Sequence, residues 1–237
     1  GLRRFYLGRS EYQRVQEIGE QLLRLAQSLH DPVALVEGHL ALGLLLFHLG
    51  ALTEARAHLE QGIACYDSQQ HRFLAVRHGR DPGVICRNFT ALTLWLLGYP
   101  SQALQQIRTA ITLARELSHA YSLVLALSHA ARLHQCRREV HAAQEQADAA
   151  IALATEQGFA QYLARGTMLR GWALAAQGQH EAGMAQMRQG GAAYQATGTE
   201  EGGLQHALLA EAYGNMGQAE EGLTVLAEAL AAVEKTR

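Results

Sequence analysis

The octapeptide AIALATEQ, residues 150–157, returns in altered form along the whole chain. AITLAREL stands at 110–117, GGAAYQAT at 190–197 and ALAAVEKT at 229–236. Earlier echoes are GIACYDSQ at 62–69 and QLLRLAQS at 21–28, so successive copies begin 41, 48, 40, 40 and 39 residues apart. A period of this length belongs to stacked repeats, in which each unit buries its apolar face only against its neighbours.

Fixed offsets inside the period define the unit. Gly50, Gly98, Arg138, Gly178 and Gly217 occupy one position, where a helix stops and a second begins. Four are glycine, which suits the left-handed backbone of a helix C-cap, and Arg138 departs from the rule. Seven residues before the turn stand Gly43, Ala91, Ala131, Gly171 and Ala210; five after it stand Ala55, Ala103, Ala143, Gly183 and Gly222. Twelve after it come Gly62, Ala110, Ala150, Gly190 and Ala229, followed by Ile63, Ile111, Ile151, Gly191 and Leu230. Helical periodicity alone does not require small residues at these places. Close packing of helices within and between hairpins does, and this reading has Ala150 admitting the next helix while Ile151 fills beside it.

Asp31-Pro32 and Asp81-Pro82 each open a first helix, Asp as N-cap and Pro at the first helical position. The repeats are expected over 32–68, 82–117, 119–157, 159–197 and 199–236, with a partial unit at 1–29 and an insertion at 69–81 that holds a short helix around 70–77 and a turn at Gly79. Residues 1–8 read as the last turns of a helix without a capped start, as if the chain were cut from a longer polypeptide. The whole is expected to be one repeat domain, 1–237.

Composition limits the function. Hydrophobic residues make up 49% of the chain, with few β-branched or aromatic runs, so the expectation is all-α. Net charge is −2 without any block of one sign, which disfavours a nucleic-acid footprint. Cys65, Cys86 and Cys136 are odd in number and lack C-x-x-C spacing, which points to packing residues in a reducing compartment. The most apolar run, residues 40–49, is shorter than the roughly 20 residues of a membrane span. No signal peptide is visible, and the chain reads as soluble and cytoplasmic.

The offsets, and LGLLLFHLGALTEARAHLE at 42–60 above all, resemble the tetratricopeptide repeat (TPR). The period is nearer 40 than the usual ~34 residues. The resemblance implies a right-handed superhelical array of antiparallel helical hairpins, an α-solenoid of about five and a half repeats, whose first helices line a concave face. LWLLGYPSQAL at 94–104 and RGWALAAQGQHEAG at 170–183 are similar to the C-terminal repeat region of bacterial signalling proteins that carry an AAA-type ATPase and often an adenylate or guanylate cyclase. That implies a regulatory segment without its enzymatic half.

No phosphate-binding loop, dinucleotide fingerprint, zinc-protease motif or serine-hydrolase elbow occurs. His129 and His134 are five apart, roughly 140° round a helix of ~3.6 residues per turn, which is wrong for a metal pair. The reading is therefore a non-catalytic scaffold with neither cofactor nor metal. In the TPR pattern, inward positions lie ten, six, three and two residues before the turn. They map to Leu40, Leu44, Phe47 and His48; Asn88, Leu92, Trp95 and Leu96; Ser128, Arg132, Gln135 and Cys136; Met168, Trp172, Ala175 and Ala176; and Ala207, Glu211, Gly214 and Asn215. The candidate contacts are Phe47, His48, Asn88, Trp95, Arg132, Trp172 and Glu211, with Arg165 one turn outward of Met168. Core packing remains an alternative for both tryptophans, and plain solvation for Asn88, Arg132 and Glu211. The expected partner is a protein or peptide. A small-molecule effector, a second copy of the chain, and other domains of its own full-length chain are the alternatives.

Overall fold

The computed structural model describes residues 12–71, 73–198 and 203–234. They are helical throughout: α1 (Tyr12–Leu29), α2 (Pro32–His48), α3 (Leu52–Cys65), α4 (Ser68–His71), α5 (Phe73–His78), α6 (Pro82–Leu96), α7 (Pro100–Glu116), α8 (Ala120–Cys136), α9 (Val140–Gln157), α10 (Ala160–Ala176), α11 (His180–Ala196), α12 (Gly203–Asn215) and α13 (Ala219–Glu234). The chain divides into two compact units, residues 1–129 and 130–237, with the boundary inside α8. The expected helix end at residues 1–8 lies outside the described residues. Among those described, no helix is long and apolar enough to cross a membrane.

The capping signals act as the sequence predicts. The Asp31 carboxylate accepts from the amides of Val33 (2.9 Å) and Ala34 (3.2 Å), and Asp81 from Val84 (2.9 Å), each followed by Pro at the helix start. Every hairpin turn closes with one backbone bond from the residue after the turn position to the carbonyl four before it. These are Ala51 to Leu46, Tyr99 to Leu94, Glu139 to His134, Gln179 to Leu174 and Gln218 to Tyr213, at 2.8–3.0 Å. That geometry puts the turn residue in the left-handed region, with φ between 74° and 87° at the four glycines and 61° at Arg138.

The small columns are helix crossings. In the α10–α11 hairpin, a Cβ added at Gly171 would lie 2.6 Å from the Gly183 carbonyl oxygen, and one at Gly183 would lie 2.5 Å from that of Gly171. The residue twelve after the turn also packs first against its own hairpin: a Cβ at Gly190 would lie 2.7 Å from the Ala164 oxygen and 2.9 Å from the Met168 amide. At Gly62 the same position also meets Cys86 of α6, the first helix of the next hairpin. One residue on, about 100° further round the helix, the side chain meets the next hairpin, as Ile151 does against Gly166. The seam is therefore divided between two positions: the small residue chiefly closes its own hairpin, and the large one joins it to its neighbour.

In the first unit the insertion packs back onto Tyr66, which precedes it. Its hydroxyl donates to Asp81 Oδ2 at 2.7 Å, and its ring stacks on buried His71 with centroids 5.4 Å apart. The Asp81 amide in turn donates to Ser122 Oγ at 3.0 Å, which ties α6 to α8. Burial pushes the Asp81 carboxyl up, against the hydrogen bonds that hold it, and pushes the Tyr66 phenol up strongly. The core of the second unit is one cluster from Ala131 to Ala212, built on Met168, Leu169, Trp172, Met187 and Leu208.

Candidate functional site

Arg132, Trp172 and Glu211 share one offset, six residues before their turns, so the repeat register puts them at matching places on α8, α10 and α12, the first helices of successive hairpins. The structure joins two of them directly. Trp172 is 2% exposed, its ring inside the core, yet its Nε1–H donates to Glu211 Oε1 at 2.8 Å. Trp172 is therefore both a core residue and part of the groove wall. Arg138 Nη1, 73 residues away along the chain, donates to the same oxygen.

These groups line a groove of about 460 Å³ with Val140, Ala175, Ala176, Gly178, His180 and Asn215. Arg132 is not among the lining residues. Burial pushes the Cys136 thiol up, against the charges of Arg132 and Arg138. His180 Nδ1 is buried without a protein partner.

Arg138 is free to cross the groove because its neighbours are engaged with one another. Glu139 is held by Arg137, whose Nη2 and Nε donate at 2.7 and 2.9 Å, and by His134 Nδ1 at 2.6 Å. The Arg137 hydrogen bond, followed by that of His134, brings the Glu139 carboxyl down to about 2. The turn's own acid is thus saturated. A non-glycine residue in the left-handed region costs roughly 1–2 kcal/mol, so Arg138 is held at a place where the other four turns avoid that strain.

The remaining candidates sit elsewhere. Arg165 is 9% exposed and turns to Tyr194 of α11, its Nη2 donating to the hydroxyl at 3.2 Å and its guanidinium 5.5 Å from the ring centroid. In the first unit Phe47 and His48 both meet Phe89, edge-on at 5.2 Å and tilted at 6.1 Å, and Phe89 meets His129 at 5.3 Å. Asn88 is 0% exposed and neither side-chain amide atom meets a protein hydrogen-bond partner. Trp95 is half-buried. Phe89 and His129 were not among the sequence candidates because they lie one residue beyond the inward column. Arg138 and His180 were also missed as contacts, although the replacement of turn glycine by a long cation was a visible signal. Among the described residues no three His, Cys, Asp or Glu side chains gather in a way that would hold a metal ion.

No protein-family model matches the chain, nor does any curated protein sequence. Solved structures do. The chain is similar to a Rap protein complexed with Competence and Sporulation Factor, with TM-score 0.72 and 11% identity over 99% of this chain and 73% of that one. It is also similar to the apo form of RapI, with TM-score 0.66 and 13% identity over 95% and 99% of the two chains. A Podospora anserina kinesin light chain of nearly identical TPR-like repeats gives TM-score 0.54 and 20% identity over 87% of this chain and 98% of that one. The fold is a TPR-like helical repeat. The sequence resemblance to TPR repeats thus has its counterpart in three dimensions.

Proposed function

We propose that the chain is a non-catalytic protein- or peptide-binding scaffold, and that the inner face of its second unit is the recognition surface. The observation that carries this is the joining of Trp172, Glu211 and Arg138 across an open groove. Tryptophan and arginine are the side chains most enriched at binding hot spots, and here both are tied to a partly buried carboxylate. Likeness to a Rap protein solved with a bound factor supports the reading at the level of fold. The chain serves, on this proposal, as the regulatory or interaction segment of a larger bacterial signalling protein in the cytoplasm, as its likeness to the repeat regions of ATPase and cyclase proteins implies.

Selection of a random peptide library on the immobilised chain tests the proposal. Enriched peptides should bind the parent in solution and lose at least tenfold in affinity against Trp172→Phe and Glu211→Ala. Enriched peptides that bind all three proteins equally would remove this groove from the proposal. A second reading, an effector pocket for a small molecule, is favoured by the groove volume, which lies in the ~300–1,000 Å³ range of ligand sites. Saturable thermal stabilisation by a metabolite, abolished in Glu211→Ala, would select it.

A further inference from the structure

We infer that Glu211 is the subsite for a positively charged side chain of the partner, and that Arg138 occupies this subsite in the free protein. The inference rests on the reading of the groove as a recognition surface and adds the chemistry of what it recognises.

The two halves of the ion pair are unequal. The Glu211 side chain is 22% exposed and that of Arg138 is 63% exposed. The carboxylate is the fixed half: it stands on the inner helix α12 and receives the indole N–H of Trp172, itself locked in the core. A charge in that position needs a counter-ion, because desolvation without one is costly. The guanidinium is the movable half, at the end of a long side chain rooted in a turn that elsewhere holds glycine. Glu211 is the sole carboxylate among the residues lining the groove, and Arg138 the sole permanent cation. When Arg138 withdraws, the lining keeps one negative charge and an indole donor already oriented. A guanidinium or ammonium that enters the groove satisfies all of this, the guanidinium with two parallel hydrogen bonds. Asn215, one helical turn after Glu211, adds an amide to the same wall. The chain's own arginine thus displays the chemistry that the site accepts.

Arg138 then acts as an internal competitor, and apparent affinity falls with the fraction of molecules in which Glu211 is already paired. If Arg138 fills the subsite nine-tenths of the time, its removal tightens binding about tenfold.

The test uses the whole chain labelled with ¹⁵N. The indole N–H of Trp172 reports binding, with Trp95, the other tryptophan, as internal control. N-acetyl-arginine methylamide is titrated beside the lysine, citrulline and glutamate analogues. The arginine probe should shift the Trp172 signal saturably, the lysine probe less, and the uncharged citrulline isostere and the glutamate probe hardly at all. Arg138→Gly, which installs the residue of the other turns, should bind the arginine probe about tenfold more tightly, and Glu211→Gln should lose it. Equal response to citrulline, preference for glutamate, or weaker binding in Arg138→Gly would overturn the inference; the last would make Arg138 a direct contact for an anion. If library-selected peptides depend on Trp172 and Glu211 yet carry no cation at the dependent position, this inference fails while the groove remains the recognition surface. If no peptide depends on either residue, both fail.

Discussion

Substitution of Gly171 by alanine tests the repeat architecture at its tightest point. Gly171 of α10 and Gly183 of α11 face each other across the crossing of their hairpin. The new methyl carbon would lie 2.6 Å from the Gly183 carbonyl oxygen, 2.9 Å from the Met187 amide nitrogen and 3.0 Å from Met187 Cγ. Ordinary van der Waals contact begins near 3.4 Å, and two of the three atoms are backbone, so a rotamer change does not relieve the clash. The two helices must separate by most of an ångström in a core that also holds Met168, Trp172 and Met184. Overpacking of this kind costs about 1–3 kcal/mol, and a backbone clash belongs in the upper half of that range. Replacing glycine by alanine inside a helix returns about 0.8–1 kcal/mol. The net expectation is a loss of about 1–2 kcal/mol, measured as a lower midpoint in urea by far-ultraviolet circular dichroism. Gly214 supplies the control: it lies in α12 with open space around a Cβ, so Gly214→Ala should gain up to about 1 kcal/mol. The same chemical change thus has opposite signs at two places. If Gly171→Ala matches or exceeds the parent in stability, the crossing is not where the small residues put it.

Trp172→Ala should cost about 3–5 kcal/mol, the range for emptying a buried aromatic site, because its ring lies in the core of the second unit; a loss below 1 kcal/mol would place the ring in the groove alone. Tyr66→Phe leaves the buried Asp81 carboxylate without its phenol donor and should cost about 1.5–3 kcal/mol, read as a shift of the urea midpoint at pH 7. His39 and His58 meet at 3.2 Å between their Nδ1 atoms, and burial, with their mutual repulsion in the case of His39, lowers both from the ordinary value of 6.5. Their folded values lie below the unfolded one, so the unfolded chain takes up more protons as the pH falls through 6.5. Stability from this pair is complete above that pH and declines below it. Urea midpoints measured between pH 7.5 and 5 should fall less steeply in His58→Ala than in the parent, and parallel curves would exclude the pair as the source.

The hairpins were legible in the sequence because each depends on a residue type at a fixed offset. Gly171 and Gly183 stand in columns that are small in every repeat, and the crossing needs nothing more than their size. The turns were legible for the same reason, since the left-handed backbone favours glycine at Gly50, Gly98, Gly178 and Gly217. The column of Arg132, Trp172 and Glu211 followed from register alone. What register does not carry is the direction and reach of a side chain. Arg165 lies two turns from Trp172 on the same helix, yet its guanidinium turns to Tyr194. Asn88 holds an inward position and is wholly buried. The link from Tyr66 through Asp81 to Ser122 joins residues 15 and 41 apart through hydrogen bonds that repeat offsets do not specify, so only the folded chain reveals it.

The two kinds of column also differ in what they ask of a side chain. Positions that close hairpins stay small along the chain, as the crossing demands in each unit. The position six before the turn changes instead. In the first unit it holds Leu44 and Leu92, each 4% exposed, which fill space between helices. In the second it holds Arg132, Trp172 and Glu211. Aliphatic side chains at that register add burial and nothing directional, whereas a guanidinium, an indole and a carboxylate there bring charge and hydrogen-bonding groups that packing does not need. A scaffold under no demand but stability would keep leucine, since a partly buried carboxylate must be compensated by donors. The compensation comes from Trp172 and from Arg138, the residue that breaks the turn rule. Both departures from the repeat pattern therefore converge on one carboxylate. That convergence is the physical reason we propose the second unit as the recognition surface.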